Sequence, residues 1–184
     1  TGGLADVIGS LAAEIQFLGH EVAVFLPRYK VIDVQNWRLV SAVDRFETPL
    51  SSEKEPSRLF TLTLRSGVKV YFVEHPEFYG RDGLYGTTLG DFPDNDRRFI
   101  FFQRALLEAL KILGLRPDIL HCHDWQTGLI PVYLKTVYAR DSFYQYTRTV
   151  FTIHNLGYQG NFPPDSLSMT GFGWEQFRME RLEF

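Results

Sequence analysis

Apolar residues recur at steps of three and four through the opening of the chain. Leu4, Val7, Ile8, Leu11, Ile15 and Leu18 share one stripe, the spacing of a helix with a single buried face. Gly19 follows as a left-handed stop. Residues 22–26 are a continuous apolar run, which predicts a strand covered on both faces. Gly-rich turn, helix and buried strand together predict a βαβ unit whose first strand would precede Thr1.

The middle of the chain reads differently. Residues 38–46 predict a strand. Residues 59–65 and 68–74 flank Ser66-Gly67, a hairpin-turn signal. The polar stretch 51–57 predicts a loop. Residues 75–96 predict another, with Gly80, Gly83, Gly86 and Gly90 among the aromatics Phe78, Tyr79 and Tyr85. The helix–strand alternation then resumes. Residues 94–113 carry Phe99, Phe102, Leu106, Leu110 and Leu113 on one stripe, and Gly114 closes it. A strand over 118–122, a helix over 127–140 and a strand over 149–154 follow. There is no internal repeat and no low-complexity tract. The predicted class is α/β, a mostly parallel sheet with an antiparallel hairpin insertion.

Composition narrows the choices. At 45% hydrophobic the chain is too apolar for disorder. Its 19 basic and 22 acidic residues leave a net charge of -3, no electrostatic footprint for nucleic acid. No uncharged apolar run approaches the ~20 residues of a membrane helix. The one cysteine, Cys122, excludes an internal disulfide and fits a reducing compartment. A chain of 184 residues that opens on Thr1-Gly2-Gly3 and stops in a helix-like or linker pattern reads as a piece of a longer protein.

Ligands of open parallel sheets bind beyond the C-terminal strand ends. Three clusters fall at such ends: Thr1-Gly2-Gly3, His121-Cys122-His123-Asp124-Trp125, and His154-Asn155. Gly2-Gly3 before a helix suits phosphate, because the helix start offers free N–H groups and a positive dipole end; a plain tight turn explains it equally well. The spacing is neither GxGxxG nor a P-loop. His121 and His123 share a strand face, and with His154 or Asp124 they have zinc-ligand character. The alternative for His121 is packing within the sheet with a bond to a backbone carbonyl. Trp125 beside Asp124 pairs a flat apolar ring with a carboxylate, a combination that suits a sugar. Asp94-Asn95-Asp96 has the D-x-D form of metal-dependent glycosyl transfer, but it opens a helix, where such residues cap, and Arg97 and Arg98 stand near to satisfy the carboxylates. Cys122 reads as a small buried group.

Five ordered motifs resemble those of the bacterial glycogen synthase and plant starch synthase family. Thr1-Gly-Gly-Leu-Ala-Asp-Val7 is similar to its Lys-Thr-Gly-Gly-Leu-x-Asp-Val signature, whose lysine would precede Thr1. Pro27-Arg-Tyr29 resembles its Pro-x-Tyr. Tyr85-Gly86 with Asp94-Asn95-x-x-Arg98-Phe99 resembles a third motif, although some members carry His where this chain has Gly86. His121-Cys-His-Asp-Trp-Gln-Thr-Gly128 and Thr152-Ile-His-Asn-Leu-Gly-Tyr-Gln-Gly160 resemble the last two.

The resemblance implies a Rossmann-like half of the two-domain GT-B architecture. Residues 1–184 would be most of the N-terminal, acceptor-side domain, with the C-terminal domain absent. It implies glucose transfer from ADP-glucose to the non-reducing end of an α-1,4-glucan, with retention, no metal and no cofactor. Gly2 and Gly3 would meet the donor diphosphate. His154 would serve the reacting glucose as the catalytic residue. Asp124, Trp125, Tyr85 and Asn155 would line the acceptor and glucose side, while Asp6 and Gln159 brace their loops. The setting would be a bacterial cytoplasm, or a plastid in a plant, and the piece alone would be inactive. Two other classes fit the residues: a zinc hydrolase built on His121, His123 and His154, and a non-catalytic glucan-binding module using Trp125 and Tyr85.

Overall fold

The computed structural model describes residues 3–182. They fall into two compact units, Thr1–Glu47 with Pro56–Phe92, and Thr48–Glu55 with Pro93–Phe184.

The first unit opens with helix α1, Gly3–Phe17. Leu4, Ile8, Leu11 and Ile15 are half-buried on its predicted stripe, whereas Val7 and Leu18 are exposed. Gly19, at φ 92°, lets the His20 N–H reach back to the Ile15 carbonyl at 3.3 Å, the glycine stop expected of it. Strands β1 (Ala23–Pro27), β2 (Val40–Leu50), β3 (Glu53–Thr63) and β4 (Lys69–Glu74) form a sheet in the order β1-β4-β3-β2. β1 pairs parallel to β4, with Val24 opposite Val70, and β3 pairs antiparallel to β4, with Phe60 opposite Phe72. The sheet is therefore mixed.

Two expectations change here. β1 is an edge strand of this sheet, so only its Pro27 is buried; the strand covered on both faces is β4, buried from Val70 to Glu74. The polar stretch 51–57 is not a loop, because the turn is confined to Ser51-Ser52 and β3 has already begun at Glu53. From there burial alternates, with Ser57 and Leu59 covered and Pro56 and Arg58 open. That is a strand's period carried partly by polar side chains, which hydrophobicity does not register.

Ala12, Leu39, Phe60, Val68, Val70 and Phe72 form this unit's core. At the end of β4, Glu74 is buried and paired with Arg28 at 2.6 Å and Arg58 at 3.3 Å. Helix α2, Pro76–Tyr79, follows. The Gly-rich segment beyond it holds the two-residue strands β5, Gly86–Thr87, and β6, Gly90–Asp91, paired antiparallel.

The second unit is built on helix α3, Asn95–Leu113. Phe99, Phe102, Leu106 and Leu110 of its apolar stripe are buried, and Gly114 at φ 67° closes it, with the Leu115 N–H on the Leu110 carbonyl at 3.0 Å. Asp94 stands at the N-cap without a side-chain capping bond. The neighbouring Arg97 N–H donates to the Asp96 carboxylate at 2.7 Å. The Asp96 carboxylate accepts from the Ser166 hydroxyl at 2.5 Å, Arg97 meets Glu55 at 2.5 Å, and buried Arg98 donates to the Asn95 side chain at 2.6 Å.

Strands β7 (Ile119–His123) and β8 (Arg148–Thr152) run parallel, with His121 opposite Val150 and His123 opposite Thr152. Helix α4 spans only Ile130–Lys135, far less than the predicted 127–140. Pro131 lacks an N–H and fits only the first turn, so the residues before it form a short 3-10 turn, Trp125–Thr127. After Lys135 the Thr136 hydroxyl bonds back to the Val132 carbonyl at 2.7 Å, and the chain leaves the helix. Three tyrosine hydroxyls pin this region: Tyr133 to the Thr170 carbonyl at 3.1 Å, Tyr138 to Glu108 at 2.5 Å, and Tyr144 to the Leu107 carbonyl. Thr170 ends the short helix α5, Leu167–Thr170. The described residues end with a 3-10 turn, Trp174–Gln176, followed by turns and bends.

Buried Gln103 joins α3 to α4. Its amide donates to the Phe99 carbonyl at 2.9 Å and its oxygen accepts the Leu129 N–H at 2.6 Å. Gln103→Leu leaves that N–H unpaired, and urea unfolding of the intact protein is expected to show a loss of roughly 1–3 kcal/mol.

Candidate functional site

The sequence clusters at the ends of β7 and β8 meet in the second unit. Because the two strands are parallel and in register, their last residues emerge side by side. Alternation then sets His121, His123, Thr152 and His154 on related positions, while Cys122 points the other way and is buried. His121 Nε2 lies 2.8 Å from the Thr152 hydroxyl. His123 Nδ1 lies 3.0 Å from His154 Nε2. The His121 and His123 rings stack at 4.1 Å, and the His123 and His154 rings face each other at 5.3 Å.

Burial holds His123 well below the ordinary imidazole value, at about 4, with His121 and His154 adding to the effect and Asp124 opposing it. His121 is lowered too, again by desolvation first. At neutral pH both rings are uncharged, so the cluster packs without repulsion. Cys122, by contrast, is a thiol pushed up to about 12 by burial, which keeps it protonated and inert. His121 departs from the expectation of a residue packed inside the sheet. It is exposed, and its partner is a hydroxyl rather than a backbone carbonyl.

Asp124 has the most constrained backbone of the site. Its φ of 57° and ψ of -178° lie in a region that residues with a Cβ rarely adopt. Three bonds hold it there. Its N–H donates to the Thr152 carbonyl at 2.9 Å, its Oδ1 accepts the His154 N–H at 2.7 Å, and its carbonyl accepts the Thr127 N–H at 3.1 Å, while the Thr127 hydroxyl donates to the preceding His123 carbonyl at 2.8 Å. The carboxylate thus ties the end of β7 to the start of the His154 loop. Strain held in this way at strand ends is a mark of functional sites. Sequence reasoning missed it, together with the parts played by Thr127 and Thr152. The available signal was the same-face alternation of Thr152 and His154.

Trp125 is half-buried. Its ring meets the edge of Phe99 at 4.8 Å and Phe162 at 5.4 Å. Gly160 closes over it: a Cβ there would stand 2.7 Å from Trp125 Cβ. Asn155 is exposed, and its side-chain oxygen accepts the Gly157 N–H at 2.8 Å, an Asx turn. Gln159 donates to the Leu156 carbonyl at 2.9 Å, so it braces the loop from within.

The remaining predicted residues belong to the first unit. Gly2 lies outside the described residues. Gly3 opens α1 and is exposed, and a Cβ on it would meet nothing within 4 Å. Asp6 is exposed in the first turn of that helix. Tyr85 is half-buried just before β5, and its carbonyl accepts the Phe92 N–H at 2.9 Å. Among the described residues, no group of three His, Cys, Asp or Glu is arranged to hold a metal. No described helix is long and apolar enough to cross a membrane.

Residues 1–184 match a family profile described as the starch synthase catalytic domain. Over the whole chain, the glycogen synthase of Koribacter versatilis is 44% identical and glycogen synthase 2 of Geobacter metallireducens 45%. The chain spans 37% and 38% of those proteins. The glycogen synthase of Elusimicrobium minutum is 46% identical, with 38% of it covered. Among solved structures, the catalytic domain of starch synthase IV from Arabidopsis thaliana, bound to ADP and acarbose, superposes with a TM-score of 0.86 at 33% identity. The match covers 98% of this chain and 36% of that one.

Gly160 is the glycine whose replacement discriminates. At φ 68° and 2.7 Å from Trp125, Gly160→Ala must strain its own backbone and displace the indole. Urea unfolding followed by tryptophan fluorescence is expected to show altered emission and a loss of roughly 1–3 kcal/mol.

Proposed function

The chain belongs to the starch synthase catalytic domain family, and on that footing we propose that it is the acceptor-side half of a GT-B glucosyltransferase. The reaction we assign to the whole protein is transfer of glucose from ADP-glucose to the non-reducing end of an α-1,4-glucan, with retention. The chain covers little more than a third of its relatives' length, so a second domain completes the active site. The observation that carries this reading is the junction of β7 and β8, where the Asp124 carboxylate holds the His154 backbone at 2.7 Å at the strand ends where α/β folds bind ligands.

The donor diphosphate is assigned to the start of α1. Among the described residues nothing requires glycine at position 3, since a Cβ there would meet nothing within 4 Å. Close approach of a ligand supplies the reason, with the helix N–H groups and dipole attracting the phosphates. Gly2 shares this role, and Asp6 orders the turn. The His154 imidazole faces the reacting glucose and steadies hydroxyls and charge as the transition state develops. Asp124 spends one carboxylate oxygen on the His154 N–H and offers the other to a sugar hydroxyl. Asn155 lines the acceptor side, and a glucan contact is assigned separately to Tyr85. Trp125, wedged between Phe99 and Phe162, shapes the wall. Domain closure would exclude water and align the acceptor oxygen for attack on the face the nucleotide leaves. No metal or other cofactor takes part. The bacterial relatives favour a cytoplasmic setting.

Full-length protein tests the reading. His154→Ala is expected to lower kcat by on the order of 10²–10³-fold in assays of glucose transfer; near-normal turnover removes His154 from the chemistry. Gly3→Ala is expected to leave the unfolding transition in place while raising KM for ADP-glucose about tenfold, a loss near 1.4 kcal/mol. An unchanged KM dissociates Gly3 from the donor.

A further inference from the structure

His123 has no part in the transfer assigned above, yet it makes the closest side-chain contact to the residue placed at the reacting glucose. We propose that His123 is a positioning residue for His154: its Nδ1 lone pair accepts the Nε2–H of His154 and fixes that imidazole in one tautomer. The lone pair on His154 Nδ1 is then left to accept a substrate hydroxyl. This inference rests on the role given to His154 above.

The geometry leaves few arrangements. The two nitrogens are 3.0 Å apart, so a single proton lies between them. One possibility puts it on His123 Nδ1, and each ring must then adopt the intrinsically less favoured Nδ1–H form. The other puts it on His154 Nε2, and both rings keep the favoured Nε2–H form. The second costs less and needs no further partner. A hydrogen bond at one ring nitrogen decides the state of the other, so His123 decides what His154 presents.

His123 is itself fixed. Its ring stacks on His121 at 4.1 Å, and His121 is anchored to the Thr152 hydroxyl at 2.8 Å. Its carbonyl accepts the Thr127 hydroxyl, and its backbone sits opposite Thr152 in the parallel register. His154 is held independently through its own N–H on Asp124. Both rings of the pair therefore hang from bonded backbones, the support a precise site needs. The titratable groups acting on His123 are His121 from its own strand, His154 from the end of β8, and Asp124. Burial keeps His123 neutral down to about pH 4. A proton added at His123 Nδ1 would set N–H against N–H and break the contact.

The test uses the full-length protein labelled with ¹⁵N-histidine. Long-range ¹H–¹⁵N spectra, with His154 assigned by its loss in His154→Ala, are expected to show a single Nε2–H tautomer. An Nδ1–H form in the wild type overturns the proposal without any variant. In His123→Leu the tautomers are expected to mix and kcat to fall at least roughly tenfold, with KM for both substrates little changed. His123→Asn, whose Oδ1 can stand where Nδ1 stands, is expected to restore the single tautomer and most of kcat. Leu and Asn variants of equal kcat, or a tautomer indifferent to both, refute it. If His154→Ala remains active, the catalytic reading of His154 fails, while the tautomer spectra still report separately on the His123 contact.

Discussion

The bond from the His154 N–H to the Asp124 carboxylate, 2.7 Å long, is the constraint on which the site depends. Parallel strands separate as they leave a sheet, and nothing in the ladder itself keeps their ends together. Here a side chain from the end of one strand captures the backbone beyond the end of the other. For Asp124 to reach, its backbone must turn to φ 57°. The cost is of order 1–3 kcal/mol for a residue with a Cβ. The Thr127 N–H, the Thr152 carbonyl and the His154 N–H jointly offset it. Remove any of them and the others lose their geometry, so the turn and the His154 loop form a single cooperative piece.

Support for that piece comes from a conventional scaffold. Helix α3 lays a buried aromatic and aliphatic face beneath it, and Phe99 from that face meets Trp125 edge-on at 4.8 Å. Gln103, one turn further along, pairs with the Leu129 N–H ahead of α4. The polar and aromatic contacts therefore act on the same few residues from below, which suits a site that must hold two rings in a fixed relation. The first unit shows a similar economy at the end of β4, where a buried carboxylate, Glu74, gathers Arg28 and Arg58.

Much of this was legible in the sequence. The helix over 94–113 was read within a residue because a five-residue apolar stripe and a terminal glycine agree. The parallel pairing of β7 with β8 across an intervening helix followed from alternation alone. What escaped had specific causes. β3 begins among charged residues, so its period is hidden from hydrophobicity. α4 is cut short by Pro131 and by the Thr136 hydroxyl, local effects that override an otherwise plausible apolar pattern. At the site, the His-x-His spacing was visible, but its meaning depended on the register of a strand about thirty residues later. Zinc ligands and a hydrogen-bonded imidazole pair look alike until that register is known. Likewise the sequence pairs the Trp125 ring with the Asp124 carboxylate but does not reveal that Gly160 packs against the indole.

Cys122 carries a practical consequence. It is this chain's one cysteine, buried, with its thiol pushed up to about 12. Only a minute fraction is thiolate at neutral pH, so maleimides and other thiol-directed dyes find no nucleophile there. The domain is in effect already cysteine-free for labelling purposes. A thiol introduced on the exposed loop at Leu156 or Tyr158 would be this domain's single addressable point. A fluorophore or spin label placed there could follow the loop beside His154 while the native residue behind it stays untouched.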